Sequence, residues 1–156
     1  MSVENMIETA VWIIGILLLY FGVPKKKYRE AQVSFFIMQT LTWFFGGLVA
    51  EFSLVAYPVR FLSHAFRTSF TFEFFAFPVL SVLFNLYFPK NSSWRKKVIY
   101  ILSFPSIMTF IEVLLEKYTD TIEYLNWNWF FSWITILITL CISYLYYKWF
   151  FNRKVI

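Results

Sequence analysis

Apolar residues along the chain are grouped in five long runs that are separated by short polar segments. The runs lie at about 6–23, 31–52, 69–88, 98–117 and 129–151. About 20 residues of α-helix, rising 1.5 Å per residue, cross the hydrocarbon core of a bilayer, so each run is long enough for one crossing. The pattern therefore predicts an all-α bundle of five transmembrane helices that forms a single integral membrane domain over residues 1–156.

Composition supports a membrane protein. Of the 156 residues, 60% are hydrophobic, 24% are aromatic and 15% are charged, whereas a soluble domain carries about 25% charged residues. A chain of this length buries too little surface to hide its 21 phenylalanines from water. We therefore expect the helices to expose apolar side chains to lipid.

The basic residues predict an orientation. Four lie in the segment 24–30 and four in 89–97, and Lys148, Arg153 and Lys154 bring the total to eleven of fourteen. Five spans place all eleven on one side, and lysine and arginine accumulate in cytoplasmic loops. We expect a cell-membrane protein with its N-terminus outside and its C-terminus in the cytoplasm. The net charge of +5 suits anionic lipid head groups rather than nucleic acid.

A polar segment, YPVRFLSHAFRTSF, separates the second and third runs. Pro58 suits the first turn of a helix, where a missing N–H is not needed. A helix from there would place Arg60, His64 and Arg67 on one face, at i, i+4 and i+7. The spacing predicts a short amphipathic helix at about 58–68 that lies at the outer interface.

Acidic residues are predicted to surround this segment. Acids in a membrane are rare without partners, and arginine pairs with a carboxylate through two hydrogen bonds. We therefore predict an ionic cluster near the outer face, with a ligand-binding or structural role. Its candidate residues are Arg60, His64, Arg67, Glu51, Glu73, Glu112, Glu116 and Asn85, the last continuing the helix face of Glu73. In the alternative, the arginines only reach lipid phosphates while the acids reach water.

The run YPVRFLSHAFRTSFTFEFFAFPVLSVLFN, with a later glutamate and YLNWNWFFSW, resembles a family of small multi-pass membrane proteins of spore-forming Firmicutes. The residues that carry the resemblance are Tyr57, Pro58, Arg60, Phe61, Glu73, Pro78, Asn85, Glu112, Trp127 and Trp129, within about 50–135. The resemblance implies a bacterial plasma membrane and carries no activity over to this chain.

Three classes of function follow from these patterns. The first is a non-enzymatic protein whose polar cluster binds an anionic small molecule or lipid head group, or forms part of a transport or channel assembly. The second is a structural or accessory subunit of a membrane complex. The third is a membrane-embedded enzyme acting on a lipid head group, with His64 and a glutamate as acid–base pair.

The absence of catalytic motifs weighs against the enzyme. There is no HExxH, no GxSxG and no phosphate-binding glycine loop, and one histidine with one cysteine cannot form a multi-histidine or CxxC metal site. We expect no catalytic residues, metal or cofactor. The expected partners are membrane lipids, together with other membrane subunits or a second copy of the chain.

Overall fold

The computed structural model describes residues 2–152, which are mostly helical. The helices are α1 (Val3–Gly22), α2 (Tyr28–Glu51), α3 (Phe77–Leu86), α4 (Trp94–Tyr118) and α5 (Trp129–Asn152). A 3-10 turn (Lys25–Lys27) precedes α2, and a π-helical turn (Phe72–Ala76) leads directly into α3. Each apolar run thus forms a helix close to its predicted bounds. Arg153 and Lys154, which contributed to the predicted orientation, lie outside the described residues.

Four of these helices are long and apolar enough to cross a membrane: α1, α2 with its preceding 3-10 turn, α4 and α5. The helical segment Phe72–Leu86 is apolar but shorter. The all-helical fold is confirmed, and four apolar helices suggest a membrane location. The count of five spans stays a prediction.

Local residues account for the helix ends. Ser2 caps α1 by accepting a hydrogen bond from the backbone N–H of Asn5 at 3.3 Å, and α1 ends before Pro24, which cannot continue it. Asn128 caps α5, since its side-chain oxygen accepts from the N–H groups of Phe130 and Phe131 at 3.0 and 3.2 Å. Such caps satisfy backbone donors that have no partner within the helix.

The short helix α3 lies at the centre of the bundle. It packs against α1, α2 and α5, and Phe84, one of its buried residues, stacks on Tyr100 of α4. Gly15 allows α1 to approach closely, because a Cβ at this position would crowd the Phe75 ring. Since neighbouring helices surround α3, the apolar surface of the segment is covered by protein rather than by lipid.

The outer helices expose their apolar side chains. On α1, for example, Ile13, Leu17 and Phe21 are all exposed, as are Phe44 on α2 and Phe110 on α4. Contiguous apolar surface of this kind is unusual for a soluble monomer. It is the surface that lipid tails would cover.

The helix predicted at 58–68 is not formed. Residues 61–65 make a turn in which Leu62 adopts a left-handed backbone with φ of 57°. Backbone groups of this segment bond to partners outside it. The N–H of Val59, for example, donates to the backbone carbonyl of Asp120 at 3.0 Å. The Arg60 side chain donates hydrogen bonds to the carbonyls of Tyr57 and Ser63.

Two loops pair at the end of the bundle where α2 ends and α5 begins. β1 (Val55–Ala56) and β2 (Glu123–Tyr124) form a short antiparallel ladder. Val55, Tyr57 and Ile122 form a buried apolar cluster beneath it. We call this the acidic end of the bundle, and the opposite end, which carries the loops 24–30 and 89–97, the basic end.

Candidate functional site

Glu73 lies on the π-helical turn, at the acidic end of the bundle. Four residues after Phe74 comes Pro78, which has no N–H and therefore leaves the Phe74 carbonyl without its helical partner. Gln39 of α2 satisfies that carbonyl by donating from Nε2 at 2.9 Å. The Glu73 carbonyl accepts from the Thr42 hydroxyl at 2.6 Å. Polar side chains of α2 thus support the turn, and π turns often occur at functional sites.

Gly46 of α2 provides the space for the Glu73 carboxyl group. A Cβ at position 46 would lie 2.6 Å from Glu73 Cδ and 2.7 Å from Oε1. The Glu73 side chain is buried, with 6% of the residue exposed. Its carboxylate interacts with the hydroxyl of Tyr57, which comes from the loop above. Glu73 therefore lies between the α2 backbone at Gly46, which has no side chain, and the phenol of Tyr57.

Glu112 of α4 lies close enough to Glu73 for their charges to interact. Its Oε1 accepts hydrogen bonds from the Tyr124 hydroxyl at 2.7 Å and from the Ser132 hydroxyl at 2.5 Å. Trp127 donates from Nε1 to the same serine oxygen at 2.8 Å. Two hydroxyls, one from β2 and one from α5, thus converge on one carboxyl group.

The two carboxyl groups border a cavity of about 410 Å³ between α2, α4 and α5. Its walls are mainly apolar, and they include exposed residues such as Leu48, Ile111 and Ile138, so the cavity is open towards the lipid-facing side. Of the described residues that line it, none is a lysine, arginine or histidine. The polar residues in the lining are Thr42, Tyr57, Glu73, Glu112, Trp127, Ser132, Thr135 and Thr139.

The phenols of the covering loops remain protonated in this environment. Burial, followed by the negative charges of Glu73 and Glu112, raises the pKa of Tyr57 well above its usual range. Burial and the charge of Glu112 also raise the pKa of Tyr124. Both hydroxyls are therefore available as donors to the carboxylates.

The basic residues predicted to join the acids lie elsewhere. Arg60 donates to three backbone carbonyls, those of Tyr57 at 2.6 Å, Phe66 at 2.7 Å and Ser63 at 3.1 Å. It holds the loop in place and has no carboxylate partner among the described residues.

The other two basic candidates are exposed. Arg67 pairs with Glu51 at 2.8 Å, but the two side chains are 77% and 65% exposed. His64 is also exposed on the same loop. The predicted cluster therefore does not form as one unit. The structure brings together Glu73 and Glu112.

Two further candidates are separate from this pair. Glu116 lies one helical turn after Glu112 and is close enough to contribute negative charge at Tyr124. Asn85 lies twelve residues from Glu73, or about 18 Å along a helix. It donates to the Ser143 hydroxyl at 3.1 Å, which in turn bonds to Ser81. This second polar group links α3 to α5 within the bundle.

Several residues of the site are missing from the sequence-based set. Tyr124 and Trp127 carry the pattern of interfacial anchors, which hides their hydrogen bonds to the Glu112 and Ser132 side chains. Glu8 is a further buried acid, accepting a hydrogen bond from the Phe61 N–H at 3.2 Å. The signal that could have found Gly46 is its spacing of seven residues from Gln39, on one helix face. No described group of three or more histidine, cysteine or acidic residues is placed to hold a metal ion.

Comparison with known proteins returned no relatives. No protein-family model, no curated protein and no solved structure matches the chain. The resemblance to small membrane proteins of spore-forming Firmicutes stays a prediction, and function must be argued from the geometry of the site.

Proposed function

We propose that this chain is a multi-pass membrane protein that binds a lipid-like amphiphile in the cavity between α2, α4 and α5. The observation that carries the proposal is the combination of mainly apolar walls with two carboxyl groups, Glu73 and Glu112, at the acidic end of the bundle. Binding sites for small molecules are typically apolar with a few polar groups that fix orientation. A lateral opening gives an apolar tail direct access from the bilayer.

The lining determines the chemistry of the head group. Carboxylates accept hydrogen bonds and attract cations, and the described lining of the cavity offers no basic side chain to attract an anion. We therefore propose a cationic or hydrogen-bond-donating head group, such as an amine, that lies against Glu73 and Glu112. The anionic ligand predicted from the arginines is less well supported, since Arg60 is engaged by backbone carbonyls and Arg67 by Glu51.

A membrane-embedded enzyme is also less well supported. Its acid–base pair would require His64 beside a glutamate of the site, and His64 is an exposed residue of the outer loop that does not line the cavity. Binding without chemistry accounts for the carboxyl groups and the cavity together. This binding could serve a transport assembly or a subunit contact equally well.

The binding proposal is tested with single-chain amphiphiles of equal length. Dodecylamine, dodecanol and dodecyl sulfonate are added to the protein in a non-ionic detergent, and thermal stability is measured. We expect stabilisation by the amine that is lost in Glu73→Gln. Equal stabilisation by the amine and the sulfonate would refute recognition by the carboxyl groups.

A second variant tests the location of the ligand. Thr135→Phe should fill the cavity from α5 and abolish the response. Its matched control is Thr9→Phe, because both threonines are exposed and bond to the carbonyl four residues before them, and Thr9 does not line the cavity. A full response in Thr135→Phe would place the amphiphile elsewhere.

We further propose that the segment Phe72–Leu86 is a fifth crossing and that the basic end faces the cytoplasm, as lysine and arginine in short loops favour. The test is labelling of single cysteines in a Cys141→Ser background. A membrane-impermeant maleimide added to intact cells should modify Glu123→Cys and spare Asn91→Cys, both of which are exposed positions. Labelling at Asn91→Cys would contradict the orientation.

A further inference from the structure

A second groove lies at the basic end of the bundle, away from the carboxyl groups. It runs between α2 and α5 and has a volume of about 490 Å³. Its lining includes Arg29, Val33, Phe36, Ile37, Tyr146 and Phe150. The groove thus combines one cationic residue with a mainly aliphatic and aromatic wall.

Arg29 lies at one end of this groove. It is exposed and makes no hydrogen bond or ion pair with any other described residue. The neighbouring Glu30 is not within ion-pair distance of it among the described contacts, and the Glu30 carboxylate accepts a hydrogen bond from the Tyr147 hydroxyl. A guanidinium with five donors is therefore left to interact with a group outside the chain.

The groove extends along α2 from Arg29 to Thr40. Eleven residues of helix correspond to about 16 Å, roughly half of the 30 Å hydrocarbon core. This is the depth of one leaflet. The Thr40 hydroxyl at the far end donates to the Phe36 carbonyl at 2.9 Å. Its donor is therefore satisfied within the helix, and a hydrocarbon chain can lie beside it.

We infer that this groove binds an anionic phospholipid of the leaflet at the basic end. The phosphate pairs with Arg29, whose planar fork matches phosphate oxygens. One acyl chain lies along Val33, Phe36 and Ile37 of α2, facing Phe150 of α5. Three lysines, Lys25–Lys27, lie immediately before Arg29 and increase the local concentration of anionic lipid.

The experiment measures lipid retention by the purified full chain. Dioleoylphosphatidylglycerol and dioleoylphosphatidylcholine are titrated into delipidated protein, and bound lipid is counted by native mass spectrometry. We expect Arg29→Gln to weaken phosphatidylglycerol binding about fivefold, the effect of one basic residue near a membrane surface. Phosphatidylcholine binding should change little.

Arg95→Gln provides the matched control, since Arg95 is an exposed arginine at the same end that does not line the groove. It should leave phosphatidylglycerol binding unchanged. Equal losses in the two variants would show a diffuse attraction between charges and overturn the site.

Ile37→Trp should block the groove and reduce binding of phosphatidylglycerol with Arg29 intact. Undiminished phosphatidylglycerol binding in that variant would also overturn the site. So would binding of inorganic phosphate to the wild-type protein as tightly as phosphatidylglycerol.

Discussion

The substitution Gly46→Ala directly tests how Glu73 is accommodated. The added methyl group would lie 2.6 Å from Glu73 Cδ, whereas carbon atoms in contact are about 3.5–4.0 Å apart. The carboxyl group must therefore move by about 1 Å. Because α2 lies on one side of it and Tyr57 covers it, this movement should weaken the interaction with the Tyr57 hydroxyl.

The expected magnitude follows from two opposing terms. Adding a methyl group to a tightly packed position costs about 1–3 kcal/mol, and replacing glycine by alanine inside a helix gains up to about 1 kcal/mol. The neighbouring Gly47 is the matched control, since a Cβ there would meet no atom within 4 Å. We expect Gly46→Ala to lower the free energy of unfolding by about 1–3 kcal/mol relative to Gly47→Ala.

The measurement is the free energy of unfolding in mixed micelles, followed by tryptophan fluorescence as denaturing detergent is added. Repeating Gly46→Ala in a Glu73→Ala background identifies the cause. The cost should nearly disappear there, because the two residues are in contact and their effects are then coupled. If Gly46→Ala and Gly47→Ala are equally stable, or if the cost persists without Glu73, Gly46 does not make room for this carboxyl group.

Two further predictions concern the loop above the site. Arg60→Ala should destabilise the protein in detergent by about 2 kcal/mol or more, because three carbonyls lose a charged donor, while exposed Lys26→Ala should cost little. Adding Glu112→Gln should restore none of this loss, and recovery in the double variant would indicate an ion pair instead. Above about pH 10 the unfolded state ionises its tyrosines, and the raised pKa of Tyr57 keeps this residue neutral in the folded state. Stability should therefore fall with rising pH, less steeply in Tyr57→Phe, and equal slopes would contradict the burial of this phenol.

Hydrophobic run length was sufficient to predict the helices, because in a membrane-like chain few other structures satisfy the backbone. A different argument, the spacing of basic residues, failed for the segment 58–68. Its i, i+4, i+7 spacing of basic residues is compatible with a helix, but spacing alone does not reveal a distant partner such as Asp120. Short segments have little helical stability of their own, so tertiary hydrogen bonds decided the conformation.

The acids of the site were identifiable from sequence, and their partners were not. An acid in an apolar run must be satisfied by something, and this reasoning singled out Glu73 and Glu112, which both line the cavity. Arginines were the obvious partners by charge. Phenol and serine hydroxyls at Tyr57, Tyr124 and Ser132 instead face these acids, and such residues are too common in the chain to be selected without coordinates.

The nature of these partners bears on function. A carboxylate paired with arginine would be neutralised, and its site would have little reason to bind a cation. Glu73 and Glu112 are surrounded by neutral donors that orient the carboxyl groups and bring no positive charge to them. Ionising a buried carboxyl group is costly when no counter-charge accompanies it, so a cationic head group that enters the cavity would supply the counter-charge that the described residues do not. The loop arginine, by engaging carbonyls, leaves the cavity free for that head group.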